Sequence, residues 1–194
     1  MALLLMRIAI SGSLIYVFLV WNLFLAVVPY GMSSWLQQTH WIRTQRFPLA
    51  IFLGIWLLFL PNAPYLITDI MHLYSSDAPI LWLDPLLLFV FGLNGLLFGI
   101  FSMLHIFQIL SEIWSETTAK RMLFCIVFLC GFGIYLGRFQ RWNSWEIFSN
   151  PLLLLYDSVR SLLHPKYYIK TWGITLGFGG FLWVILLGLQ PILS

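Results

Sequence analysis

Charge is what this sequence has least of. Lys, Arg, Asp and Glu make up 9% of its 194 residues, and 61% are hydrophobic, whereas roughly a quarter of an ordinary soluble domain is charged. So few charges cannot clothe a water-facing surface, so lipid must be the solvent. Cysteine is nearly missing as well. Cys125 and Cys130 are the only two, and a spacing of five turns them to different helix faces. That argues against a disulfide and reads them as small packing residues. No long basic run occurs, which argues against nucleic acid as a partner. The small cationic excess, 10 Lys and Arg against 7 Asp and Glu, reports topology instead. Nucleotide loops and zinc-protease motifs are also missing, so neither a cofactor nor a metal site is expected.

What is there is length of apolar run. Five runs, over 8–28, 47–67, 85–107, 122–137 and 168–189, stand out, most of them near the roughly 20 helical residues that a 30 Å hydrocarbon core requires. An outer-membrane barrel would instead show short alternating segments. The expectation is an all-α, polytopic helical bundle in one transmembrane domain over 1–194. Arg7 before the first run resembles a secretory leader. The run is longer than a leader's apolar core, however, and no small-x-small site follows, which predicts an uncut first helix. Trp21, Trp35, Trp41, Trp82, Trp114, Trp142 and Trp145 lie mostly at span ends, as headgroup anchors do.

Small residues predict the packing, because helices in lipid associate by close approach. Gly92, Gly95, Gly99 and Ser102 line one face of the third span. Cys130, Gly133 and Gly137 do so in the fourth, and Gly173, Gly177 and Gly180 in the fifth. Mid-span Asn94 suggests an interhelical hydrogen bond. In the second span Pro61-Asn62-Ala63-Pro64 removes two helix donors after only about 20 Å of helix, which predicts a break near the interface with partial burial. Residues 144–163 interleave Asp157 and Arg160 with leucines behind Pro151. They read as an amphipathic helix on the membrane surface, with a short sixth crossing as the alternative.

Five spans put Arg7, Asp69, His72, Asp77, Asp84, Arg138, Arg141, Asn143 and Glu146 on one side. Arg43, Arg46, His105, Glu112, Glu116, Lys120 and Arg121 fall on the other. Lys and Arg counts then favour an inner amino terminus, and a sixth span would reverse that orientation. Ionisable groups so near hydrocarbon tend to face a cavity, partner or substrate. Asp69 and His72 are the candidate catalytic residues, one of them as general base or metal ligand. Arg138 and Arg141, with Asn143 and Asn62, are the candidate substrate residues, the arginines clamping a phosphate or carboxylate. The competing explanation is charge pairing at the membrane edge, in which an arginine closing the fourth span meets an acid ending the second. His105 and His164 are not placed to complete a metal site.

Three stretches carry a resemblance: VWNLFLAVVPY at 20–30, LPNAPYLITDIMHL at 60–73 and GRFQRWNSWEIFSNP at 137–151. They resemble the signature segments of the bacterial membrane proteins grouped as domain of unknown function 1361, over most of the chain. The resemblance implies that Asn62, Tyr65, Asp69, His72, Arg138, Arg141, Asn143 and Trp145 belong to motif segments. Glu146 stands where the family pattern suggests Asp. It also implies that members often carry a further helix upstream of Arg7. The function classes left open are a structural or assembly subunit with other membrane subunits as partners, an enzyme acting on a lipid-linked or anionic amphiphile, and a small-solute transporter. A multi-pass protein of the bacterial inner membrane, with the lipid bilayer as its surroundings, is the expected setting.

Overall fold

The computed structural model describes residues 1–75, 82–142, 149–163 and 165–193, the side chains of 71–75, 165–168 and 190–193 excepted. Within them the chain is helical, without strands. Five helices are long and apolar enough to cross a membrane: Phe18–Gln38, Arg46–Ile70, Leu83–Ile113, Glu116–Phe139 and Ile169–Leu189. The protein is a polytopic helical bundle.

The first crossing lies later than predicted. Helix α1, Ala2–Ser11, stops at Gly12, whose φ of 65° is a left-handed conformation that glycine adopts without strain. Ser11 Oγ then accepts from the Ser13 N–H at 3.2 Å, and the chain turns before α2, Phe18–Gln38. The apolar run over 8–28 is therefore split between two helices. Pro29, just past the predicted end, sits inside α2. Apolarity alone does not reveal a glycine turn within it. The fourth crossing begins earlier than predicted for the opposite reason: a polar turn is helical because it is capped. Ser115 accepts from the Thr118 N–H at 3.2 Å and starts α7, Glu116–Phe139.

The second crossing is composite. After the short α3, His40–Thr44, comes α4, Arg46–Phe59, then the single turn α5, Asn62–Tyr65, and a 3-10 helix, Leu66–Ser75. The proline break is partly buried as expected, with Pro61, Asn62 and Tyr65 half-buried and Ala63 and Pro64 buried, but it lies opposite the middle of a neighbouring helix and not near that helix's end. Ala63 is fully buried against the middle of α6, Leu83–Ile113. A Cβ on Gly95 would lie 2.6 Å from Ala63 O, and one on Gly99 3.1 Å from Ala63 Cβ. Only glycine lets the two backbones meet here. Irregular backbone opposite the centre of a spanning helix is tolerated because protein covers it.

The glycine stripe of α7 serves the same contact, since a Cβ on Gly133 would run into the Pro61 ring and one on Gly137 would lie 3.5 Å from the Tyr65 ring. The predicted stripe in the last helix does not pack. With helix α8 spanning Pro151–Leu163 and α9 spanning Pro165–Leu193, Gly173, Gly177 and Gly180 of α9 have nothing within 4 Å of an added Cβ. The α7–α9 seam instead uses Gly131, against Thr175 O, and Gly179, under Phe128. Asn94 likewise serves its own helix, donating to Val90 O at 2.7 Å, which satisfies the amide without a partner helix. A genuine cross-helix relay runs through Trp56: its Nε1 donates to Ser102 Oγ at 2.8 Å, and Ser102 donates to Pro29 O at 2.7 Å. Helix α8 is the described part of the predicted amphipathic segment, of which 144–148 lies outside the described residues. Its Leu152, Leu155 and Val159 are exposed while Ser161 is buried, the arrangement of a helix whose apolar face meets lipid.

Candidate functional site

The broken second crossing and the last turn of α7 meet at one end of the bundle. Asp69, in the 3-10 helix, is 1% exposed. Its Oδ1 receives Arg138 Nη1 at 3.3 Å, and its Oδ2 receives Asn22 Nδ2 at 3.0 Å. Arg138 also reaches Tyr65 OH at 3.4 Å, its guanidinium lying 5.7 Å from the centre of the Tyr65 ring. Three elements, α2, the broken segment and α7, thus converge on one carboxylate. The pairing of an arginine closing the fourth span with an acid ending the second is present as geometry.

Beside this ion pair lies a cavity of about 500 Å³, within the usual range for small-molecule sites. Its apolar part is lined by Phe18, Leu25, Leu57, Leu129 and Phe132, and its polar part by Asn22, Asn62, Tyr65, Asp69 and Trp142. Gly54 also lines it, and a Cβ there meets nothing within 4 Å. The lining is chemically one-sided. One carboxylate borders the cavity and, among the described residues, no cation does, because Arg138 holds Asp69 from outside the lining.

The remaining predicted site residues divide. Asn62 lines the cavity and ties its Nδ2 to Phe59 O at 2.9 Å, across the break. Arg141 is exposed, and its φ of 59° turns the chain after α7, so that the Trp142 N–H reaches Leu136 O at 3.2 Å. The structure does not bring it to the cavity. Trp142 then donates from Nε1 to Asp157 Oδ2 at 3.2 Å, fastening α8 over the site, and Leu154 of α8 joins the lining. The His72 side chain and all of Asn143, Trp145 and Glu146 lie outside the described residues. Among the described residues no group of His, Cys, Asp and Glu could hold a metal ion.

Sequence reasoning passed over Asn22. A lone amide in an apolar run was its signal, the same signal that drew attention to Asn94. A second ion pair was also passed over. Arg7 Nε meets Asp84 Oδ1 at 3.0 Å and Nη2 meets Oδ2 at 3.4 Å, with both side chains at most 2% exposed. Tyr16 OH donates to Asp84 Oδ2 at 3.3 Å, its ring centre lies 5.1 Å from the guanidinium, and Ser11 completes the cluster. This pair borders no part of the cavity lining and pins α1 to the start of α6.

Fold and cavity together define a multi-pass helical membrane protein with a partly apolar cavity at one end of the bundle. The chain belongs to the family described as Protein of unknown function (DUF1361), whose model matches residues 21–185. No curated protein and no solved structure matches it.

Proposed function

We propose that this protein binds one amphiphile in the cavity beside Asp69, as a carrier or enzyme of a bacterial inner membrane. The observation that carries the reading is a cavity apolar along α2, α4 and α7 and polar only where Asp69, Asn22, Asn62 and Tyr65 gather. A molecule with an acyl-like tail and a small polar head matches that division. The head is hydroxyl-bearing and uncharged. The lining holds one carboxylate and, among the described residues, no cation, and the Arg138 guanidinium is already engaged by Asp69 and Tyr65, so the anionic substrate that two clamping arginines would suit is disfavoured. A head-group hydroxyl would donate to the acceptors at the polar end. Asp69, fixed by Arg138 and Asn22, serves to orient that head. This support favours an amphiphile-handling protein over an assembly subunit or a small-solute transporter.

The test is native mass spectrometry of the purified full chain with diolein and with dioleoylphosphatidate. Diolein should give a saturable single adduct and phosphatidate a weaker one. Gly54→Phe, whose Cβ has open space and whose ring would project into the cavity, should abolish the diolein adduct while the protein still folds. Asn22→Ala should weaken it by about five- to tenfold, the worth of one hydrogen bond of about 1 to 1.4 kcal/mol. Equal or tighter binding of phosphatidate, or undiminished diolein binding by Gly54→Phe, would overturn the reading.

A further inference from the structure

The opposite end of the second crossing carries a different kind of site. Where α4 begins, a groove of about 310 Å³ opens between α4, the end of α6 and α7, lined by Leu49, Ala50, Leu53, Met122, Trp114 and Arg46. Apart from Arg46 at its mouth and the Trp114 indole, the lining is aliphatic or thioether. Arg46 opens the 25-residue crossing that runs to Ile70, so Arg46 and Asp69 lie at opposite ends of one segment, and the groove and the cavity share no lining residue.

Charge bookkeeping at this end leaves a clear remainder. Arg43 pairs with Glu112, and Lys120 pairs with Glu116 at 2.6 Å. Arg46 and Arg121 are exposed and have no hydrogen bond or ion pair among the described residues. Both acids are thus taken, which leaves Arg46 in the groove lining and Arg121, one residue before the lining residue Met122, without a carboxylate partner among the described residues. Trp114 ends α6 and is exposed, as an indole at headgroup level is. Long arginine side chains there extend toward the phosphate layer while their stems cover hydrocarbon. An apolar trough closed at its polar end by uncompensated cations is complementary to an anionic lipid and not to a neutral one.

We propose that this groove is a binding site for one anionic phospholipid, with its phosphate on Arg46, assisted by Arg121, and an acyl chain along Leu49, Ala50, Leu53 and Met122. The site is independent of the Asp69 cavity and opposite to it in charge preference: one end of the protein takes an uncharged head, the other an anionic one. Phosphatidylglycerol held here braces the start of α4 against α7.

Native mass spectrometry of the full chain, titrated with dioleoylphosphatidylglycerol or with dioleoylphosphatidylcholine, tests this. The glycerol lipid should give one saturable adduct favoured over the choline lipid by about fivefold from Arg46 alone and up to about 25-fold if Arg121 contributes equally, given about fivefold for each cation near a membrane surface. The double variant Arg46→Gln/Arg121→Gln should lose that preference, and both positions are exposed, so folding is kept. Ala50→Trp, which leaves both arginines and fills the groove, should lose the adduct as well. Equal binding of the two lipids, an unchanged preference in the arginine variant, an adduct that survives Ala50→Trp, or a protein dimer in place of the lipid adduct would each overturn the proposal. Diolein binding at the Asp69 cavity should be untouched by all three substitutions, so failure of one site is distinguishable from failure of the other.

Discussion

The molecule contains the same device twice. In each, an arginine, fully buried at Arg7 and half-buried at Arg138, is joined to a buried aspartate across elements distant in sequence, and a tyrosine ring lies beside the guanidinium: Tyr16 at 5.1 Å for Arg7–Asp84 and Tyr65 at 5.7 Å for Arg138–Asp69. The first is sealed, with Asp84 0% exposed and Tyr16 and Arg7 closing over it. The second borders a cavity of about 500 Å³. An ionisable pair in an apolar bundle is therefore not in itself a sign of chemistry. What separates the fastening from the candidate site is the space beside the carboxylate and the amphipathic lining of that space.

Breaking each pair should expose the difference. The largest effect is expected for Asp84→Asn, which strands the Arg7 guanidinium where no solvent reaches it. Removing one partner of a buried pair costs about 3 to 5 kcal/mol. In detergent, thermal unfolding should show the steepest loss of melting temperature of any substitution considered, and a fall no greater than that of Asp69→Asn would erase the distinction. Asp69→Asn is expected to cost less, about 1 to 3 kcal/mol, since the cavity lets water reach the groups left behind and the amide still accepts a hydrogen bond. Its loss should appear in diolein binding. The smallest effect belongs to Arg141→Gly. This arginine stands at the same end of the bundle in neither pair, and glycine relieves its left-handed backbone at the expense of a more flexible unfolded chain, so stability should change by less than about 1 kcal/mol. A drop in diolein binding with this variant would assign Arg141 a role at the cavity that its exposed position does not suggest.

Much of this was legible in the sequence. Apolar runs revealed the crossings because hydrocarbon thickness fixes their length, and the Pro61-Asn62-Ala63-Pro64 text revealed the break because proline lacks a donor. Asp69 and Arg138 stood out as charges at the ends of neighbouring spans. Other features depend on which helix faces which, a matter of tertiary register. Gly131 and Gly179 pack while Gly173 and Gly177 do not, although all four look alike as letters. Asn22 serves the cavity while Asn94 serves its own turn. Arg7 and Asp84 fell on the same predicted side, but nothing in their neighbours signals a bond across 77 residues. The turn at Gly12 was hidden for another reason: Ser11-Gly12-Ser13 is a short polar interruption between apolar stretches that together read as one span.

The central claim, that the space beside Asp69 holds an amphiphile, is tested most directly by photolabelling. A diacylglycerol with a photoreactive acyl chain, irradiated with the membrane-embedded protein, should label peptides from the cavity faces of α2, α4 and α7. Gly54→Phe should suppress that labelling while the lipid-exposed face of α9 is labelled as before. Labelling spread evenly over the exposed helices, or unchanged by Gly54→Phe, would contradict the account.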